Sequence, residues 1–167
     1  MTYPTRIALV GFMGAGKTTV GRALAERLHY AFFDTDDEIE KTAGASIQNL
    51  FHDRGEGFFR EQEANVVRRL VREKACVVST GGGAFIQPEC ADLLFAATFT
   101  VFLDCEFDEA FRRASLLSGR PLLDGGKNAV AALYAGRKEK YSRAHVTVDT
   151  THRSPDEVVA AVLKAFL

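Results

Sequence analysis

What this chain lacks narrows the field before any motif is read. Its 167 residues carry 21 Lys and Arg against 22 Asp and Glu, a formal net charge of −1. That balance offers no basic surface for nucleic acid or for an acidic membrane face, so neither is an expected partner. No run approaches the roughly 18 consecutive apolar residues of a membrane span. The first strand-like run begins within a few residues of Met1, so no signal peptide is expected. Cysteine is scarce, and Cys76, Cys90 and Cys105 are odd in number and scattered. They form neither a disulfide framework nor a metal-binding spacing, and suit reduced thiols in a cytoplasm. Internal repeats and low-complexity segments are missing too. So is the Asn-Lys-x-Asp motif with which GTPase switches read guanine.

What is present is a phosphate-binding loop. Gly11-Phe12-Met13-Gly14-Ala15-Gly16-Lys17-Thr18 has glycines at the first and sixth places, followed by lysine and a hydroxyl residue. In such a loop the backbone N–H groups cradle nucleoside phosphates. Lys17 then reaches the outer phosphates and the Thr18 hydroxyl serves Mg²⁺. The flanks agree: Ile7 to Val10 is an unbroken apolar run, as in a strand buried on both faces. Val20, Leu24 and Leu28 follow at helical spacing.

Further strand-like runs lie at Ala31 to Phe33, Cys76 to Ser79, Phe99 to Leu103 and His145 to Val148. Helical patterns separate them, from Lys17 to about Leu28, about Gly57 to Glu73, Pro88 to Ala96, Asp108 to Ser115, Lys127 to Ser142 and Pro155 to Phe166. Strands alternating with helices predict one α/β domain over 1–167, a parallel sheet covered on both faces. Ligands of such folds bind at the carboxyl edge of the sheet. Two stretches interrupt the alternation. Residues 35 to 56 insert short helices, at Asp36 to Thr42 and at Ser46 to Asp53, with Ser46 as N-cap of the second. Residues 116 to 126 have turn chemistry at both ends and no period, which suits a lid.

Three groups at the ligand edge carry chemistry. Asp34 and Asp36 follow strand two, so one carboxylate can serve a metal shell while the other holds and deprotonates a hydroxyl. Helix capping is the plainer role open to Asp36. Gly81, Gly82 and Gly83 follow strand three and suit a ligand approaching bare backbone, or simply a tight turn. Arg60, Arg120 and Arg137 offer forked cations for an anionic substrate. From spacing alone each would equally be a solvated surface residue, as Arg68, Arg69 and Arg72 are expected to be.

Taken in order, the phosphate loop, Asp34-Thr35-Asp36, Phe59-Arg60-Glu61-Gln62-Glu63, Gly81-Gly82-Gly83, Arg120-Pro121-Leu122-Leu123 and Arg137 with Tyr141 closely resemble the shikimate kinase family. The likeness runs through essentially the whole chain. It implies a three-layer P-loop kinase fold like that of the nucleoside monophosphate kinases: a five-stranded parallel sheet flanked by helices. A shikimate-binding segment at about 35–62 and a lid at about 116–126 belong to that picture. It implies a reaction, ATP plus shikimate giving ADP plus shikimate 3-phosphate, with Mg²⁺, on the route to chorismate and the aromatic amino acids. It also implies roles. Gly14, Ala15, Gly16, Lys17, Thr18 and Thr19 match the ATP phosphate site. Thr18 and Asp34 serve the metal, the latter through water. Asp36 holds the shikimate hydroxyls and is the favoured base. Arg60 and Arg137 grip the shikimate carboxylate, and Gly82, within Gly81 to Gly83, contacts substrate through its backbone. Arg120 meets the ATP phosphates from the lid, while Arg113 and the Arg153 segment lie near the adenine. Lys17, Asp36 and Arg120 form the catalytic set, and the family is commonly monomeric. One departure stands out. Many members carry proline two residues after the arginine matched by Arg137, where this chain has Glu139 in a charged stretch, Lys138-Glu139-Lys140. The nearest rival reading is another small-molecule kinase of this architecture, such as a gluconate kinase.

Overall fold

Strand β1 (Arg6–Val10) has apolar side chains on both sides because both of its faces are covered. Ile7 and Leu9 pack against Val20 and Leu24 of α1 (Lys17–Leu28) and against Val158, Val159 and Val162 of α7 (Pro155–Phe166). Ala8 and Val10 point the other way. They meet Val67 of α3 (Ile47–Leu70), Cys90 and Leu94 of α4 (Pro88–Ala97) and Tyr141 of α6 (Gly126–Tyr141). Ile7 and Leu9 are fully buried, each contributing about 1.5–3 kcal/mol of transfer free energy.

The structure, a computed structural model, describes residues 5–117 and 125–167. Among them β1, β2 (Ala31–Asp34), β3 (Cys76–Ser79), β4 (Phe99–Asp104) and β5 (Val146–Asp149) form one parallel sheet in the order β2-β3-β1-β4-β5. Ala8 pairs with Val78 on one side and Thr100 on the other. The chain leaves β1 for β2 and β3 on one flank, then crosses to β4 and β5 on the other. The point where the order reverses is therefore the carboxyl end of β1, where a crevice opens for ligand. Helices α2 (Thr35–Ala43) and α5 (Phe107–Ser115) complete the framework. Sheet, helix layers and crevice agree with the fold class expected from the sequence.

The helices expected at Ser46 to Asp53 and from about Gly57 are both present, as the two parts of α3, with the non-helical Gly55 (φ 80°, ψ 171°) between them. No connecting loop was needed, because glycine alone absorbs the change of direction. Ser46 is the N-cap as expected, its hydroxyl accepting the Asn49 N–H at 3.2 Å.

Candidate active site

The phosphate loop joins β1 to α1, and Gly16 (φ 94°) is the residue that caps α1. The first N–H groups of that helix therefore open onto the loop, where an anion is favoured. Gly14 (φ 79°) lies against α5 so closely that a Cβ there would run into the Ala110 carbonyl. Glycine thus satisfies both a left-handed backbone and a space restriction at this position. Lys17 donates from Nζ to the carbonyls of Gly11 (2.8 Å) and Phe12 (3.0 Å), holding its ammonium at the loop. Thr18 Oγ1 donates to Asp34 Oδ2 at 2.8 Å and lies 3.4 Å from Ser79 Oγ. A hydroxyl and a carboxylate side by side are the hard oxygen donors that Mg²⁺ prefers. Because that ion keeps several waters and substrate phosphates as ligands, two protein oxygens suffice.

Beyond the loop a cavity of ≈ 210 Å³ is lined by Ala15, Gly16 and Thr19 on one side and by Arg113, Thr150, Arg153 and Pro155 on others. Arg113 and Arg153, distant in sequence, thus meet beside the loop. Arg113 comes from α5, and Arg153 from the turn between β5 and α7.

A second cluster of charged side chains gathers around the three glycines. A Cβ on Gly81 would sit 2.7 Å from Asp36 Oδ1 and 3.0 Å from Glu63 Oε1. On Gly82 it would lie 3.4 Å from Arg137 Nη1, 3.6 Å from the Tyr141 hydroxyl and 3.8 Å from the Gly11 carbonyl. On Gly83 it would overlap the Arg60 guanidinium, with Cζ at 2.6 Å. This stretch is therefore bare because charged side chains from α2, α3 and α6 crowd it. Tyr141 donates to the Gly82 carbonyl at 2.5 Å and fixes it in place. Burial pushes the Tyr141 phenol up to about 12, against the pull of Arg137 nearby, so it remains a donor.

Asp36 does not cap α2. The cap is Asp34, whose Oδ1 accepts the Asp36 N–H at 3.0 Å, leaving the Asp36 carboxyl turned to Gly81. Arg60 donates to Glu63 Oε2 at 2.8 Å and to Glu56 Oε1 at 3.3 Å. Arg137 shares one face of α6 with Tyr141 and has no carboxylate partner among the described residues. Arg120 and most of the 116–126 stretch lie outside the described residues.

Sequence reasoning assigned no role to Glu63, which has a central place. Its side chain is 0 % exposed, and it accepts from Arg60 and, at 2.7 Å, from the Gln87 amide. The signal was available as an acid inside an apolar stripe, Phe59-Glu63-Val66-Leu70, at helical spacing. Burial raises the Glu63 carboxyl to about 7, with Arg60 and Gln87 pulling it down and Asp36 pushing it up. The folded chain thus binds this proton more tightly than the unfolded one, whose value is near 4.5. Its stabilising contribution is complete below that value and disappears as pH rises through about 7. We expect the melting temperature of Glu63→Gln, relative to the parent chain, to climb between about pH 5 and pH 8. A constant difference over that range would contradict the raised carboxyl.

Comparison with known proteins follows the same outline. A family model described as shikimate kinase matches residues 13–167. A shikimate kinase of Geobacter metallireducens is 43 % identical over 158 residues, 93 % of this chain and 88 % of the relative. One from Persephonella marina is 38 % identical over 94 % of this chain and 96 % of its own length. Among solved structures, shikimate kinase from Acinetobacter baumannii in complex with shikimate superposes with a TM-score of 0.93 at 37 % identity, covering 98 % of this chain and 93 % of that one.

Proposed function

The chain belongs to the shikimate kinase family, and we propose from that premise how its residues divide the phosphorylation of shikimate between a donor and an acceptor half. The carrying observation is the convergence of Asp36, Arg60 and Arg137 on Gly81 to Gly83, with Gly82 abutting the first residue of the phosphate loop. Shikimate has one carboxylate and three hydroxyls, and two arginines with one aspartate complement it.

On the donor side, the backbone from Gly14 to Thr19 cradles the ATP phosphates and Lys17 swings its ammonium from the loop carbonyls to the outer phosphates. Arg113 and Arg153 flank the base end. Mg²⁺, held by Thr18 and by Asp34 through water, would neutralise phosphate charge when bound. Arg120 is assigned to the same phosphates on the strength of the Arg-Pro-Leu-Leu match, within a lid at 116–126. On the acceptor side, Arg60 and Arg137 hold the shikimate carboxylate and Gly82 contacts the ring from its backbone, in a site whose walls come from the 35–62 segment. Asp36 accepts the proton of the attacking hydroxyl as its oxygen bonds to the γ-phosphorus and ADP leaves. Since phosphoryl transfer has a loose transition state, alignment and charge neutralisation supply most of the acceleration.

The three cysteines are buried and free, which supports a cytoplasmic setting. No described helix is long and apolar enough to cross a membrane. We assign the chain to the cytoplasm as a monomer without nucleic-acid or membrane partners, which size-exclusion chromatography with light scattering would check for the oligomeric state. A coupled ADP-release assay offering shikimate, gluconate and nucleoside monophosphates tests the activity. Turnover is expected with shikimate alone, and turnover with gluconate instead would favour the gluconate-kinase alternative.

A further inference from the structure

The nucleotide half of the site holds a carboxylate that the scheme above does not use. Glu109 sits in the first turn of α5, one helical turn before Arg113. Its side chain is only 10 % exposed, and Arg113 is 22 % exposed. Glu109 Oε1 accepts from Arg113 Nε at 2.8 Å. Arg112 approaches the same carboxylate through Nε to Oε2 and Nη2 to Oε1, both at 2.8 Å. Arg113 then uses Nη2 on the Thr150 carbonyl at 3.0 Å, just beyond the end of β5. Two of the three nitrogens of the guanidinium are thus tied, one to its own helix and one to the residue that follows β5. An arginine has several rotors, and fixing them before a ligand arrives removes an ordering cost from binding.

The fork lies where the loop meets the cavity. Ala110, next to Glu109, is the residue whose carbonyl crowds Gly14. Arg113 and Thr150 line the cavity together with Ala15, Gly16 and Thr19. Since the loop takes the phosphates, the rest of a nucleotide extends into that cavity, and the Arg113 guanidinium is one of its walls.

We propose that Glu109 is a positioning residue for the nucleotide, locking Arg113 into the wall of the base pocket and setting the affinity for ATP without touching it. This rests on the assignment of the cavity to the nucleotide. The lock holds at any working pH, because hydrogen bonds from Arg112 lead the effects that draw the Glu109 carboxyl down to about 2. Arg112 steadies the carboxylate from the solvent side, where it is 62 % exposed, and does not line the cavity. Glu109 is therefore expected to matter through Arg113, and Arg112 much less.

Steady-state kinetics with each substrate varied in turn test this. Glu109→Leu should raise KM for ATP about tenfold, the size of a lost charged hydrogen bond, with KM for shikimate and kcat at saturating ATP unchanged. Glu109→Gln, whose amide oxygen still accepts from Arg113, should recover most of the loss. Arg112→Ala should leave KM for ATP near that of the parent chain. Arg113→Lys keeps the charge but not the fork, and Glu109→Leu added to it should do no further harm. Four outcomes would overturn the lock: an unchanged KM for ATP in Glu109→Leu, equal losses for both substrates, an Arg112→Ala loss as large as that of Glu109→Leu, or additive losses in the double variant. If Arg113→Lys by itself leaves KM for ATP unchanged, the nucleotide assignment of the cavity falls, and the lock with it. Unfolding of Glu109→Leu would show in its melting temperature, and the Glu109→Gln and Arg113→Lys arms would then decide.

Discussion

Asp36→Asn should lower kcat by about 10²–10⁴-fold, the usual contribution of a positioned base, while ATP binds as before. The substitution is nearly isosteric, so the packing of this side chain against Gly81 is kept. The helix start is kept as well, because the α2 cap is the Asp34 side chain and the Asp36 backbone N–H that it receives is unchanged. What the variant loses is the carboxylate that would take the hydroxyl proton. An amide has no comparable basicity and presents N–H donors to the acceptor instead. Single-turnover kinetics with shikimate, together with calorimetric titration of ATP, separate the two effects. Turnover close to that of the parent chain would remove Asp36 as the base, and a matching loss of ATP affinity would place it on the donor side.

The second large effect concerns the arginines, and here the structure separates two residues that the sequence treated alike. Arg137→Ala should weaken shikimate binding by about 2–5 kcal/mol, as expected when a charge pair shielded from water loses one member. Its melting temperature should change little, since no carboxylate among the described residues depends on it. Arg60→Ala should weaken shikimate binding comparably and also destabilise the fold by about 1–3 kcal/mol near neutral pH. The reason is Glu63, fully buried and paired with Arg60 at 2.8 Å, which would be left without its cation. Protonation of Glu63 at lower pH would relieve part of that loss. Shikimate KM and thermal denaturation measured on both variants check the contrast. Equal melting temperatures would mean that Glu63 does not depend on Arg60, and an unchanged KM would take that arginine out of the site.

Much of the fold was legible because its signals are local. The apolar run from Ile7 to Val10, the loop glycines and the spacing of Val20 and Leu24 each act within a few residues. Helix boundaries were clear where a cap or proline marks them, as at Ser46 with the Asn49 N–H and at Ser154 with Pro155 and Glu157. The break between the two parts of α3 was legible as well, and the structure adds that Gly55 alone, at φ 80° and ψ 171°, makes the join. Arg68 and Arg69 were taken as solvated, and both guanidinium side chains are nearly half exposed while pairing with Glu89 and Glu38.

The sequence by itself determined the phosphate-loop motif, the alternation of strands and helices that sets this loop at the carboxyl edge of the sheet, and which charged residue types lie along that edge. These follow from chain connectivity, since a loop between strand and helix carries its ligand site wherever the domain goes. Only the tertiary structure decided which side chains hold which. It turned Asp34 into a cap and Asp36 toward Gly81, set Glu63 under Arg60, left Arg137 without an acid among the described residues, and tied Arg113 between Glu109 and Thr150. Those partnerships join α2, α3, α5 and α6 to the strand ends. They depend on burial and on distances between elements remote in sequence, quantities that residue order does not carry.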